Sequence, residues 1–222
     1  MVRKFNEILN ERWIKEGPFL EVSFILEFNQ RIDIFLKEFL SSLSKTKFKI
    51  QLKDDLNKYV VDFKKIQLDE QLDKKIEIPL FINFPEITKS LLFFNIIAEK
   101  TVMIDFCFEY HEPNPYMLKH CYELLKSLYN VFNFKFGVIG IEVDCLFAYN
   151  CNKEYPNEFY NVNNLNIKNL LNNIMTHYFY AIIFDSSMHN PQKLEYPFEI
   201  IGKKGIFVDV LKIKELYKKN KK

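Results

Sequence analysis

Two pairs of acidic residues are the side chains in this sequence best suited to chemistry. Asp105 and Glu109 lie four residues apart in one alternating apolar stretch, and Glu142 and Asp144 lie two apart in another. Residues an even number apart in a β-strand point to the same face, so each pair would project together. Hard cations such as Mg²⁺ prefer carboxylate oxygens, and such a site can assist phosphodiester hydrolysis. One interpretation is therefore a metal-dependent hydrolase or nuclease that uses these four residues.

The same carboxylates also suit a surface that binds a basic protein. Charge complementarity accelerates association, and aromatic side chains supply affinity. An Asn-rich stretch at residues 150–164 contains three such aromatics, Tyr155, Phe159 and Tyr160. We expect partner binding through the polar sheet face or through this loop. A simpler interpretation places the carboxylates on the solvated side of a half-buried sheet, where alternation alone puts polar residues.

Motifs of the common enzyme classes are missing. The sequence has no Walker A loop, GxGxxG, GxSxG, HExxH, or HxE with PCxxC. P-loop NTPases, Rossmann dehydrogenases, α/β-hydrolases, zincins and zinc deaminases depend on these elements. His120 stands beside Cys121, but adjacency does not establish the geometry of a nucleophile pair. We therefore expect no cofactor and favour a non-catalytic function.

Cysteine usage and hydropathy bear on the compartment. The four cysteines form no CxxC pair. Free cysteines are commonly small buried side chains, and they persist in reducing compartments. The first residues contain no apolar core of signal-peptide length, and no stretch approaches the roughly 20 apolar residues that cross a bilayer. These features predict a cytoplasmic protein without a membrane partner.

Charge argues against nucleic acid as the main partner. Lys and Arg number 31 against 29 Asp and Glu, which gives a formal net charge of +2. This balance excludes the uniform positive field of a DNA-coating protein. All basic residues are Lys except Arg3, Arg12 and Arg31. The side chain that reads bases by paired hydrogen bonds is therefore scarce, and nonspecific phosphate contact is the most that we expect.

The spacing of apolar residues predicts the elements that position these side chains. Alternation indicates strands at residues 19–28, 102–110 and 134–147, with a shorter one starting at Tyr59. Spacings of three and four residues predict helices capped by Asn29 and Asn114, and a third from Ile167. Turn signals predict hairpins around Glu99-Lys100 and around Gly202-Lys-Lys-Gly205.

The elements show no regular alternation of strand and helix. We therefore predict an α+β fold with a mixed, largely antiparallel sheet and three or four helices packed mainly on one face. No low-complexity linker divides the chain, so residues 1–222 are predicted to form a single domain, with two lobes at about 1–85 and 86–222 as the alternative. Leu40-Ser-Ser-Leu43 resembles Leu125-Lys-Ser-Leu128, which is compatible with a duplicated strand-helix-strand unit.

Compact α+β domains without enzyme motifs are typical of immunity proteins that neutralise toxins, although a fold class alone assigns no function. The sequence accordingly favours a non-catalytic cytoplasmic protein of immunity or inhibitor type. Its partner would be another protein, such as a basic toxin or nuclease. A structural subunit of an assembly is a further possibility, and it would expose a large apolar patch.

Overall fold

The computed structural model describes residues 19–60, 75–84, 87–98, 100–109, 115–141, 145, 166–172 and 179–220. Nine strands in these ranges form one sheet, in the spatial order β2-β3-β4-β5-β1-β6-β7-β9-β8. The strands are β1 (Phe19–Glu27), β2 (Gln51–Leu52), β3 (Lys75–Asn83), β4 (Ile87–Ala98), β5 (Thr101–Glu109), β6 (Phe136–Ile141), β7 (Phe179–Asp185), β8 (Glu199–Ile201) and β9 (Gly205–Asp209). Every pairing between neighbours is antiparallel. The α+β prediction is confirmed.

Helices flank this sheet on both faces. The α-helices whose bounds lie within the described residues are α1 (Ile32–Leu43), α2 (Pro115–Phe132), α3 (Ile167–Asn172) and α4 (Val210–Asn220), and a 3₁₀ turn spans Pro191–Lys193. Pro115 begins α2 directly after the predicted cap residue Asn114, because the fixed φ of proline suits the first helical position. The cap residue of α1 is Arg31, two residues beyond the predicted Asn29. None of the helices described has the length and apolarity needed to cross a lipid bilayer.

The larger hydrophobic core lies between the sheet and the two longer helices. Alternate residues of the central strands point into it, as their spacing predicts. Phe24 of β1 is fully buried, and its ring centroid lies 4.6 Å from that of Phe134 and 6.2 Å from that of Phe132. The ring centroid of Phe39, on α1, lies 4.7 Å from that of Phe132. The many phenylalanines therefore build the interior, as predicted from their phase.

A second, smaller core covers the opposite face at the β6, β7 and β9 end of the sheet. Phe136, Val138, Ile182 and Phe184 of the sheet pack there against residues of α3 and α4. The two shorter helices thus lie on the face that the longer helices leave open. Both faces of this half of the sheet are consequently buried, and the second face is not simply a solvated one.

Two segments differ from their predictions. Residues 56–60 are helical, so the strand predicted to start at Tyr59 is wrong there. Asp55 explains the difference, because its side chain accepts a hydrogen bond from the Asn57 N–H at 2.6 Å and so favours a helical turn. Strand β6 ends at Ile141 and Cys145 is helical, so the long strand predicted to reach residue 147 does not extend to Cys145.

The two strand-helix units enter the sheet differently. After α1 the chain goes to the edge strand β2 and returns inward through β3 and β4, whereas after α2 it enters the centre at β6 and proceeds outward. The local similarity of their sequences therefore does not extend to strand order. Strand β1 lies between β5 and β6, so strands from both sides of residue 85 share one sheet.

Candidate functional site

Asp105 lies at the centre of the sheet and is buried. Its Cα pairs with that of Ser23 in the ladder between β1 and β5, and the residue is 4% exposed. The Ser23 hydroxyl donates a hydrogen bond to Oδ1 of Asp105. The side-chain amide of Asn95, on β4, donates to Oδ2 at 2.9 Å. Each carboxylate oxygen therefore accepts a hydrogen bond from a neighbouring strand, as a buried polar group requires.

Ser23 extends this network to a third segment of the chain. Its Oγ accepts a hydrogen bond from the backbone N–H of Cys145 at 3.0 Å. Cys145 is itself fully buried in the second core. Asp105 orients Ser23, and Ser23 holds the backbone at Cys145 against the sheet. This geometry is that of an internal anchor, so Asp105 is not a direct surface contact for a partner, which corrects the exposed position expected for it.

Other acidic residues do share the face of Asp105. Glu21 pairs with Cys107 across the ladder, and the Cys107 thiol donates to Glu21 Oε1 at 3.7 Å. Glu109 stands exposed at the end of β5, on the same face by alternation. Among the residues described, however, no three His, Cys, Asp or Glu side chains are arranged to hold a metal ion.

The rest of the predicted site lies outside the described residues. This applies to Glu142 and Asp144 of the carboxylate pair, and to Tyr155, Phe159 and Tyr160 of the Asn-rich loop. Of the contact residues predicted from the sequence, Glu109 is the one that is both described and exposed. Partner binding through the loop, and a metal site that includes Glu142 and Asp144, stay predictions.

A different surface has the character of a binding site. Six large hydrophobic side chains are exposed in the described part of the chain, and four of them belong to the final hairpin and helix. They are Phe198, Ile200, Leu216 and Tyr217, with exposed fractions of 41%, 63%, 41% and 45%. These four residues are termed the terminal patch. Exposed apolar side chains that concentrate in this way indicate an interaction surface more often than scattered ones do.

One groove brings the two elements of the terminal patch close to each other. Phe198 lines a groove of about 180 Å³ together with Ile213 and Lys212 of α4. Tyr217 lies near Tyr196, two residues before Phe198, and after burial it is the next cause that raises the pKa of Tyr196. Val210 and Ile213 are buried on the preceding turns of α4, and the next turn carries Leu216 and Tyr217 beyond the core.

Charged residues fix the β8 edge to the helices. Lys126 of α2 contacts Glu199 of β8 at 2.6 Å, and its ammonium group lies 4.4 Å from the centre of the Phe207 ring. Glu123 continues the network, at 3.7 Å from Lys126 and 2.5 Å from Lys47. The hydrogen bond from Lys47 is the main cause that lowers the pKa of Glu123. Because Glu199 is paired in this way, its charge is largely compensated at the edge.

Lysines surround the remainder of the terminal patch. Lys212, Lys214, Lys218 and Lys219 all belong to α4, against a single acidic residue of that helix, Glu215. Burial, together with the nearby charge of Lys218, lowers the pKa of Lys214. The surroundings of the patch are therefore positive.

The sequence contained a partial signal for the patch. Phe198 and Ile200 alternate with Glu199, but Ile201 is also apolar, so the strand has apolar residues on both faces. Ile201 is buried, whereas Ile200 is not, because β8 is the last of the described strands in the sheet and the described residues of the second core do not extend over it. Strand order decides this exposure, and spacing along the chain does not encode it.

Comparisons of the chain with protein-family models, with curated proteins and with solved structures find no match.

Proposed function

We propose that this chain is a non-catalytic protein of immunity or inhibitor type that binds a partner protein through the terminal patch. The supporting observation is the concentration of exposed apolar side chains beside the edge strand β8. An apolar centre within a polar rim is the usual composition of a protein interface. An edge strand also offers unpaired backbone groups to which an extended segment of a partner can add.

The charges favour a partner with an acidic contact surface. Four lysines of α4 flank the patch, and Glu199 is compensated by Lys126. Positive groups at the rim accelerate association with a negative surface and discourage a positive one. The basic toxin or nuclease expected from the sequence would instead bind through carboxylates such as Glu109. These two surfaces make opposite predictions for the partner's charge.

The proposal is tested by placing a charge in the patch. The chain is used to isolate its stoichiometric partner from the native cell, and the purified pair is then measured by isothermal titration calorimetry. Ile200→Lys should weaken binding at least tenfold, because the interface would have to bury an ammonium group. Ile34→Lys is the matched control, since Ile34 is also exposed, at 43%, but lies on α1. Equal affinities of the wild type and Ile200→Lys would exclude the patch as the binding surface.

A third variant separates the two surfaces. Glu109→Lys should leave partner affinity unchanged if the terminal patch binds, and should reduce it if the carboxylate face binds a basic protein.

Light scattering of the purified chain tests a further alternative, that the terminal patch serves self-association. A wild-type dimer that Ile200→Lys converts into a monomer would mean that the patch serves self-association, which would contradict an inhibitor that acts through this surface.

A further inference from the structure

A cavity of about 630 Å³ lies between α3 and the segment that connects β7 to β8. Its volume falls within the range of small-molecule sites, which is about 300–1,000 Å³. One part of its lining is apolar and includes Leu171, Met188, Leu194 and Tyr196. Leu171 belongs to the second core, and the other three pack against it. The cavity therefore has an apolar floor that is continuous with the folded interior.

Positive side chains line the rest of the cavity. Lys168 of α3 and Lys193 of the 3₁₀ turn contribute ammonium groups beside His189, and Glu195 is the one carboxylate among the described lining residues. Both lysines are exposed, and neither forms an ion pair within the described part of the chain. Burial lowers the pKa of His189, and the charges of Lys193 and Lys168 lower it further. The two ammonium groups therefore act on the same region of the cavity.

Short-range hydrogen bonds shape the wall on the side of the β7–β8 segment. The Ser187 N–H donates to Asp185 Oδ1 at 2.8 Å, and the Met188 N–H donates to the Asp185 carbonyl at 2.9 Å. Asn190 begins the 3₁₀ turn, where its side-chain oxygen accepts from the Gln192 N–H at 2.9 Å. A wall formed by successive turns is largely preorganised, which reduces the entropy lost when a ligand binds.

We propose that this cavity binds a small phosphorylated molecule with an aromatic body, of the nucleoside monophosphate class. The phosphate would lie between Lys168 and Lys193, since ammonium groups bind phosphate as point charges. The aromatic body would pack on Met188, Leu194 and Tyr196. A net positive charge among the described lining residues, beside an apolar floor, fits a ligand that has both characters, whereas a free inorganic anion would leave the floor unused. None of the four terminal-patch residues lines the cavity, although Tyr196 of its lining neighbours Tyr217, so this inference does not depend on the proposed partner binding.

The test uses the full chain and defined probes in isothermal titration calorimetry. AMP, GMP, CMP and UMP are compared with the corresponding nucleosides and with inorganic phosphate. At least one monophosphate should bind at least tenfold more tightly than both its nucleoside and phosphate, and its affinity should fall as salt is added. The proposal is overturned if every monophosphate has a Kd of 1 mM or more, or if inorganic phosphate alone binds as tightly as the monophosphates.

Variants place the ligand within the cavity. Lys168→Gln and Lys193→Gln should each weaken binding of the monophosphate at least fivefold, because each removes one ammonium group from the site. Lys37→Gln is the matched control, since Lys37 is also exposed but belongs to α1 on the opposite face. Thermal unfolding shows whether each variant is folded. Unchanged affinity in both cavity variants would show that any bound nucleotide lies elsewhere.

Discussion

Ser23 and Asp105 face each other at the midpoint of the two central strands, four residues from either end of each strand. The Ser23 hydroxyl donates to Asp105 and also accepts the N–H of Cys145. One buried pair thus joins both central strands to the segment that follows Glu142 and Asp144. The carboxylate that the sequence marks as the best candidate for a site is an internal anchor of the fold.

Asp105→Ala should destabilise the protein by about 1–3 kcal/mol, because Ser23 and Asn95 would lose the acceptor for their hydrogen bonds inside the protein. Urea unfolding measures the free energy of unfolding. Glu77→Ala is the matched control, since Glu77 is an exposed carboxylate on the same face of the sheet, and it should change stability by about 0.5 kcal/mol or less. Similar losses for the two variants would contradict the anchoring role.

Tyr129 should make stability fall at alkaline pH. Burial, the charge of Asp185 and the hydrogen bond to that carboxylate, at 3.3 Å, raise the pKa of Tyr129 to about 12. The tyrosine of the unfolded chain titrates near pKa 10, so the unfolded state releases its proton first. This contribution to stability is complete below pH 10 and is lost as the pH rises towards about 12. Urea unfolding gives the free energy of unfolding of the wild type and of Tyr129→Phe across this pH range. That free energy should fall less in the variant, and an equal fall in both proteins would contradict the assignment.

Gly205→Ala should destabilise the protein by about 1–3 kcal/mol through overpacking. A Cβ at this position would lie 2.5 Å from Cε1 of Tyr129 and 2.8 Å from the carbonyl oxygen of Ile201. A double-mutant cycle with Tyr129→Ala separates these two contacts. The penalty should be smaller in the Tyr129→Ala background, where the ring is absent, and an equal penalty in both backgrounds would mean that the ring is not responsible.

The cysteines should be protected from thiol reagents. Cys107, Cys121 and Cys145 are free and buried, and burial raises the pKa of the Cys121 thiol. A buried thiol with a raised pKa reacts slowly, because the thiolate is the nucleophile. Ellman's reagent should therefore modify at most one thiol of the native protein, Cys151, and all four after unfolding in urea. Rapid modification of two or more native thiols would contradict this burial.

The elements that the sequence predicted well are those with a strong apolar period. The alternation of β1 and β5 identified both central strands and the side chains that point into the larger core. The alternation did not predict that these two strands pair, because their nine-residue ladder joins segments distant in the chain, whereas the hairpin that joins β4 to β5 follows from a local turn signal. Prediction was weaker where a single polar side chain redirected the backbone, as Asp55 does before the helical residues 56–60.

The candidate site was predicted only in part, because alternation assigns a side chain to a face and does not say what covers that face. Asp105 and Glu109 share a face as expected, yet Asp105 is buried and Glu109 is exposed. The terminal patch was missed for the opposite reason, since the apolar pattern of β8 resembles that of a buried strand.

The sequence by itself determined the two central strands, the two long amphipathic helices and the face to which each of their residues belongs, because these depend on periods of two and 3.6 residues along the chain. The tertiary structure decided that β8 is an edge and that Asp105 lies at the centre. It also brought Lys168 and Lys193 to one cavity. These properties depend on which strands become neighbours and on which helices cover the sheet. Contacts between segments distant in the sequence determine both.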